Sequence, residues 1–364
     1  MKEELASDLD ICNLPGEKEI LDDSKILELN NVIDDVLKNP TVINSYNIKN
    51  NILSCFNTYL RTAIDEDYVN EIMINGLKNI YIEKNGVVCE LDTSVTENEI
   101  RRFIDSVSVY NSRNIDINHP IFDGKLPGGF RCNIVIPPVS LDGTVITLRK
   151  HSANLCDFNS LLDNGTVNKA LAEYITDAVK KKKNVIIAGG TGSGKTTLLN
   201  VMLNSLKVSG LSNERIVSIE DTAELSLSLP HVIRLEAKMA TADCHNEVTI
   251  RDLVKTALRM RPDRIIVGEV RGEEAYDLLH AINTGHRGSI CTIHANSCRD
   301  ALRRLEILAV LGHPNLDISV PRTWIASNID LVIYISRSGH LRKVQEIKKI
   351  EGLECGNYVL HEVV

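Results

Sequence analysis

Residues 189–196 read Gly-Gly-Thr-Gly-Ser-Gly-Lys-Thr, a complete match to G-x-x-x-x-G-K-[ST]. The flanks constrain the fold as much as the match does. Asn184-Val-Ile-Ile-Ala188 is short, apolar and β-branched, the composition of a buried strand. Thr197-Leu-Leu-Asn-Val-Met-Leu203 reads as the start of a helix. A strand that feeds a glycine loop and then a helix brings backbone amides to a helix start, where they face anionic oxygens. The glycines let the chain wrap closely round a triphosphate. Gly190, Thr191, Gly192, Ser193, Gly194, Lys195, Thr196 and Thr197 are therefore the expected binding residues for ATP. Lys195 is expected to reach the β- and γ-phosphates, and the Thr196 hydroxyl to bind Mg²⁺.

At 364 residues the chain exceeds one ordinary core, so two or three domains are expected. The balance of 43% hydrophobic and 25% charged residues places it among soluble globular proteins. No apolar run approaches the roughly 18 residues of a membrane span. Met1-Lys-Glu-Glu-Leu5 lacks the basic start and apolar stretch of a signal peptide, so any membrane contact is expected to go through a partner. Nine cysteines, none in a C-x-x-C pair, read as reduced thiols of a cytoplasmic protein. Cys291 stands near His286 and His294, but in a strand Cys291 and His294 point to opposite faces, so no metal site is expected there. The net charge of −8 is concentrated in residues 1–40, where four lysines face eleven acids. The remainder is close to neutral, and no basic patch announces a nucleic-acid partner.

Four regions are expected. Residues 1–45 form an acidic tail with one short amphipathic helix, Ser24 to Lys38, carrying Ile26, Leu29, Ile33 and Val36 at helical spacing. Residues 46–150 read as an α+β domain. It has helices around Ile48–Ile64 and Glu97–Val109, and strands at Glu71–Asn75, Ile80–Glu83, Val87–Leu91, Phe130–Ile136 and Val145–Arg149. Asn75-Gly76 and Asn85-Gly86 are the turn signals between the first three strands. Residues 151–165 are a polar linker. In residues 166–364 a helix from Val167 to Lys182 precedes alternating strands and helices, with strands at Ile216–Glu220, Arg264–Glu269, Ser289–His294 and Leu331–Ile335. That alternation predicts a mostly parallel α/β sheet with its ligand at the carboxyl ends of the strands.

Three of these strands end in polar groups that such a ligand needs. Ile216-Val-Ser-Ile-Glu-Asp-Thr-Ala-Glu224 runs into Glu220 and Asp221, with Glu224 beyond; Asp263-Arg-Ile-Ile-Val-Gly-Glu269 ends in an acid; and a third strand ends at His294. A carboxylate at a strand tip can hold Mg²⁺ through water or orient the attacking water. Glu220 is the first choice for polarising that water and Glu224 the second. Glu269 is expected to assist Thr196 with Mg²⁺ and His294 to sense the γ-phosphate, with His286, which shares the segment Asn283 to Asn296 with it, expected to support it. Thr249-Ile-Arg-Asp252 carries the residues of a helix cap, with Ile250, Leu253, Val254, Ala257 and Leu258 on the buried face.

Gly189–Thr196, Glu220-Asp-Thr-Ala-Glu224, Leu258 to Gly272, and Asn283-Thr-Gly-His286 to His294-Ala-Asn296 resemble the Walker A, Asp box, Walker B and His box of the type II/type IV secretion ATPases. Within that superfamily the chain most resembles the CpaF branch, also called TadA in tight-adherence pilus systems. Val69 to Gly76, Leu126-Pro-Gly-Gly-Phe-Arg131 and Ile136-Pro-Pro138 are similar to that branch's amino-terminal domain. The resemblance covers about residues 65 to 340 and leaves residues 1–45 outside. It implies a RecA-like P-loop NTPase domain with a smaller α+β N-terminal domain. It also implies a homohexameric cytoplasmic ring at the membrane's inner face, held through an inner-membrane platform protein and powering pilus assembly or protein secretion. Arginines of the N-terminal domain contact the phosphates in such proteins, and Arg131 and Arg149 are the matching candidates. Two alternatives stay open: a conjugation-type ATPase serving DNA transfer, and a nucleotide-gated scaffold with little hydrolysis.

Overall fold

The computed structural model describes residues 52–363 except 67, 85–86, 128, 151–156, 211–212, 239–246 and 340. The expected tail with its amphipathic helix, the Asn85-Gly86 turn and the first part of the linker lie outside the described residues.

The amino-terminal sheet has six antiparallel strands: β1 (Val69–Asn75), β2 (Asn79–Lys84), β3 (Val87–Glu90), β4 (Ile121–Leu126), β5 (Phe130–Val135) and β6 (Val145–Arg149), in the order β3-β2-β1-β6-β5-β4. Alternation sets its two faces. Phe130, Cys132 and Ile134 of β5 are buried, while Arg131 and Asn133 face away from that core. Helices α1 (Thr58–Asp65) and α2 (Glu97–Asn111) accompany the sheet. A capping box between Thr96 and Glu99 starts α2, and Ile100, Phe103 and Val107 form its buried stripe. Phe103 packs on Phe56 with ring centroids 4.8 Å apart. The uncovered face carries a row of cations in direct cross-strand register: Lys125 opposite Arg131, and Arg131 opposite Arg149.

The carboxy-terminal sheet has eight strands: β7 (Val185–Ala188), β8 (Ile216–Glu220), β9 (Val232–Glu236), β10 (Arg264–Val270), β11 (Ile290–Ile293), β12 (Leu331–Ser338), β13 (Leu341–Glu354) and β14 (Asn357–Glu362). Their order is β14-β13-β12-β7-β11-β10-β8-β9. The six from β12 to β9 are parallel, and β13 and β14 add an antiparallel hairpin at one edge. The helices are α3 (Phe158–Asp163), α4 (Lys169–Lys180), α5 (Lys195–Val208), α6 (Ile250–Ala257), α7 (Glu274–Asn283), α8 (Cys298–Gly312) and α9 (Ser319–Asn328). Two apolar cores lie on opposite faces. One holds α4 and α5 residues such as Ile175, Leu199 and Met202, and the other holds Val254, Leu278 and Leu302 from α6, α7 and α8. This is the mixed α/β architecture expected, with three departures. Strand β4 was not anticipated in the first sheet. Strand β9, and the hairpin of β13 and β14, break the strand-helix alternation expected to the C-terminus. Residues 157–165, expected to be linker, carry α3, whose Leu161 is buried in the core with α4 and α5.

The Lys125 ammonium of the first sheet forms an ion pair with Glu236 at the end of β9. At that contact the cationic row of β4 and β5 lies beside the carboxyl ends of the second sheet.

Candidate nucleotide site

The glycine loop begins where β7 ends. All four residues of β7 are buried, and α5 starts at Lys195. Gly192 and Gly194 adopt φ of +68° and +99°, the left-handed region that glycine occupies without a Cβ penalty. The N-cap of α5 is Gly194, which has no side chain to cap the helix, so its first amides can face a ligand. Lys195 is 8% exposed, and its Nζ donates to the carbonyls of Gly189 (3.0 Å) and Gly190 (2.9 Å). Ser193 Oγ donates to Gly190 O at 2.9 Å and Ser193 N–H at 3.4 Å. Three donors thus converge on one carbonyl oxygen. Burial lowers the Lys195 pKa, opposed by the nearby Glu269 charge.

The tip of β8 supplies two carboxylates in different settings. Glu220 is 2% exposed. Its Oε1 accepts the backbone N–H groups of Glu224 (2.7 Å) and Leu225 (2.8 Å), so this side chain builds the turn that follows its own strand. Its Oε2 is buried and has no hydrogen-bond partner among the described residues. Burial raises the Glu220 pKa, and the two amide bonds pull it back. Glu224, delivered by that turn, accepts from Thr196 Oγ1 at 3.4 Å. Of the two acids, Glu224 is the one placed against the loop's hydroxyl.

Strands β10 and β11 are neighbours, and their carboxyl ends bring Glu269 and His294 together. His294 Nε2 lies 2.7 Å from Glu269 Oε1. Burial lowers the His294 pKa, Lys195 adds to this, and Glu269 opposes it. Arg271, to which the sequence reading assigned no role, donates to Glu269 Oε2 at 2.7 Å and lies 3.6 Å from Asp221. It stands two residues beyond Glu269, just past the end of β10, and the i, i+2 spacing of opposite charges was the available signal. Glu274 in turn accepts the backbone N–H groups of Arg271 (2.6 Å) and Gly272 (2.8 Å). Gly268 is required by packing: a Cβ there would stand 2.9 Å from Glu220 Cγ.

One cleft is lined by Thr196, Glu220, Asp221, Thr222, Glu224, Gly268, Glu269, Arg271 and, from the first sheet, Arg131. Arg131 is held toward it by Asp123 at 3.7 Å. Two expected members stand apart. Arg149 pairs with Arg131 across β5 and β6 but is exposed and does not line the cleft. His286 lies before β11, with Nδ1 3.1 Å from Ala281 O, whereas His294 follows β11. Four residues of strand, roughly 13 Å, separate the two histidines, so His286 cannot support His294 within this chain. Cys291, inside β11, is buried, and its thiol pKa is pushed up to about 12 by burial, which fits an inert core residue.

Comparison with known proteins adds a sequence family. The family described as "Type II/IV secretion system protein" matches residues 57–340. The conjugal transfer protein TrbB of Rhizobium radiobacter is 36% identical over 300 residues, covering 82% of this chain and 89% of TrbB. The type IV secretion system protein PtlH of Bordetella pertussis is 32% identical over 312 residues, covering 78% of this chain and 91% of PtlH. Among solved structures, the Legionella pneumophila ATPase DotB shares the fold, with a TM-score of 0.57 at 21% identity over 80% of this chain and 79% of its own.

Proposed function

This chain belongs to the type II/IV secretion system protein family, and we propose that it hydrolyses ATP in the cleft between its two sheets and turns hydrolysis into motion of one sheet against the other. The observation that carries the reading is the convergence of Thr196, Glu224, Glu269 and Arg131 from both sheets on one cleft, beside a glycine loop with Gly192 and Gly194 in the left-handed region and the Lys195 ammonium folded onto its carbonyls.

The roles follow from the geometry. The α5 amides and Lys195 receive the phosphates, whose oxygens replace Gly190 O as acceptor for the Lys195 and Ser193 donors. The donor set near Thr196 is a hydroxyl and carboxylates, all hard oxygen ligands. No group of three or more His, Cys, Asp or Glu among the described residues makes a metal cage. One or two side chains plus substrate phosphates is how Mg²⁺ is ordinarily bound, and Thr196 and Glu269 would hold it. Bound there, it would neutralise charge on the β- and γ-phosphate oxygens. Glu224 orients the attacking water, and Glu220 keeps Glu224 in place through the turn amides. This reverses the order expected from sequence, because Glu220 spends one oxygen on the backbone and is nearly inaccessible. His294 next to Glu269 reads the γ-phosphate. Arg131 brings a cation from the other sheet, so charge stabilisation depends on how the sheets are set.

No helix of the described residues is long and apolar enough to cross a membrane. We place the protein in the cytoplasm at the inner face of a membrane, as a homohexamer docked on an inner-membrane platform protein. Its work there is pilus assembly or protein secretion, as in the CpaF branch. A second reading, an ATPase serving DNA transfer, is favoured by the relatives named for conjugal transfer, TrbB among them. Steady-state hydrolysis with and without single-stranded DNA separates the two. Stimulation by DNA selects the conjugation reading, and indifference selects secretion or pilus assembly.

A further inference from the structure

Strand β7 stops at Ala188, but its neighbour β12 does not. Tyr334 is the β12 partner of Ala188, and β12 then continues to Ser338 before the chain returns as β13. The overhang runs alongside the glycine loop as a wall. A Cβ on Gly189 would collide with the Ile335 carbonyl, one on Gly194 would stand 3.1 Å from Arg342 Cδ, and one on Gly192 would stand 3.4 Å from Arg337 Nη1. Gly190 has open space at the same position. Gly189 therefore has no room for a side chain against β12, while Gly192 and Gly194, glycine already for their positive φ, also lie in contact with the hairpin's arginines. The wall is cationic. Arg337 and Arg342 are direct partners across it, Lys343 follows, and residues 335–345 contain no Asp or Glu.

Arg342 does more than pack. Its Nε donates to Gly192 O at 3.2 Å. In a trans peptide the C=O and the next N–H point in opposite directions. A bond that draws the Gly192 carbonyl outward, toward the hairpin, turns the Ser193 N–H the other way. That N–H does point across the loop, to Gly190 O at 3.4 Å. We propose that Arg342, carried by the hairpin of β12 and β13, is a positioning residue for the nucleotide: it holds the Gly192–Ser193 peptide so that its N–H faces the phosphates. Arg342 acts through that peptide and touches no phosphate itself. The proposal rests on the reading of this loop as an ATP site and adds to it a residue about 150 positions downstream.

The test uses the full-length protein with Arg342→Ala and Arg342→Lys, and Lys195→Ala in parallel. The readouts are affinity for a fluorescent ADP analogue, KM and kcat for ATP, and the melting temperature without nucleotide. Loss of one charge-assisted hydrogen bond that aims an amide is worth about tenfold in binding. Arg342→Ala is expected to raise KM and the ADP-analogue Kd about tenfold, with kcat within about twofold and the melting temperature within about 2 °C of the parent. Arg342→Lys, which keeps a cationic donor and a stem to lie on Gly194, recovers affinity to within about threefold of the parent. Unchanged affinity in Arg342→Ala overturns the proposal. So does a loss accompanied by a large fall in melting temperature that lysine does not repair, since that marks a structural role. A parent protein that binds no nucleotide, like its Lys195→Ala variant, would reject the ATP reading itself.

Discussion

Replacing Glu220 tests whether its carboxylate builds the site or does chemistry in it. Glu220 Oε1 holds two backbone amides, those of Glu224 and Leu225, at 2.7 and 2.8 Å in a side chain only 2% exposed. Hydrogen bonds to a charged group are worth about 1.5–3 kcal/mol each, so truncation to alanine forfeits roughly 3–6 kcal/mol gross. Part returns, because the buried Oε2 has no hydrogen-bond partner among the described residues and removing the carboxylate removes its desolvation cost. A net loss of about 2–4 kcal/mol remains for Glu220→Ala, which lowers the melting temperature by about 4–16 °C in a unit of 150–250 residues. Glu220→Gln keeps an acceptor for both amides and should melt within about 4 °C of the parent. The pH dependence has a definite sign. The folded pKa of Glu220 is raised, so the stability it contributes is present below its unfolded value of 4.5 and lost as pH rises through the folded value. The difference between Glu220→Gln and parent melting temperatures should therefore move in favour of the glutamine as pH rises from about 4.5 to 8. Scanning fluorimetry across that range, with turnover measured in parallel, is the assay. Glu220→Ala that melts with the parent while losing all turnover would refute the structural role and restore Glu220 as the group that polarises water.

Other expectations follow from the same cleft. Glu224→Gln should leave the melting temperature unchanged, keep ATP bound, and cut turnover by about 10²–10³, whereas Glu269→Gln should also shift the Mg²⁺ dependence of the rate; identical Mg²⁺ curves would count against that division. Arg131→Ala should reduce kcat at least about tenfold with KM for ATP changed less than threefold, as fits a cation used when charge develops, and light scattering with a non-hydrolysable analogue reports whether ring assembly survives. The His294 pKa is lowered, so the neutral form is the folded one, and stability is lost as pH falls below the unfolded value near 6.5. His294→Gln should flatten the decline in melting temperature between about pH 6.5 and 5, and a parallel decline in both proteins would reject the assignment.

Much of this was legible in the sequence because it is local. A four-residue apolar run, a glycine loop and a helix start are written contiguously, and the tips of β8, β10 and β11 end their apolar runs on the groups that line or adjoin the cleft. Strand β9 was missed because it is an edge strand with a mixed burial pattern, and β13 because its many charges interrupt the apolar run that marks a strand. The wall along the loop was missed with β13, since Arg342 meets Gly192 only through sheet pairing. The order of Glu220 and Glu224 was not readable either. Both follow the same strand, and only the turn that spends Glu220 on two amides separates their roles. His286 was grouped with His294 through the resemblance of their segment to a His box, but a strand runs between them. Arg131 reaches the cleft across two sheets, as Lys125 reaches Glu236, a juxtaposition no local pattern encodes.

The measurement that bears most directly on the account is phosphate release from ATP by the purified full-length protein beside its Lys195→Ala variant. Mg²⁺-dependent turnover is expected in the parent and a fall of about 10²–10⁴ in the variant, with melting temperatures within a few degrees of each other, because among the described residues the Lys195 ammonium bonds the carbonyls of the loop itself. Equal turnover in the two proteins, or none in a well-folded parent, would contradict it.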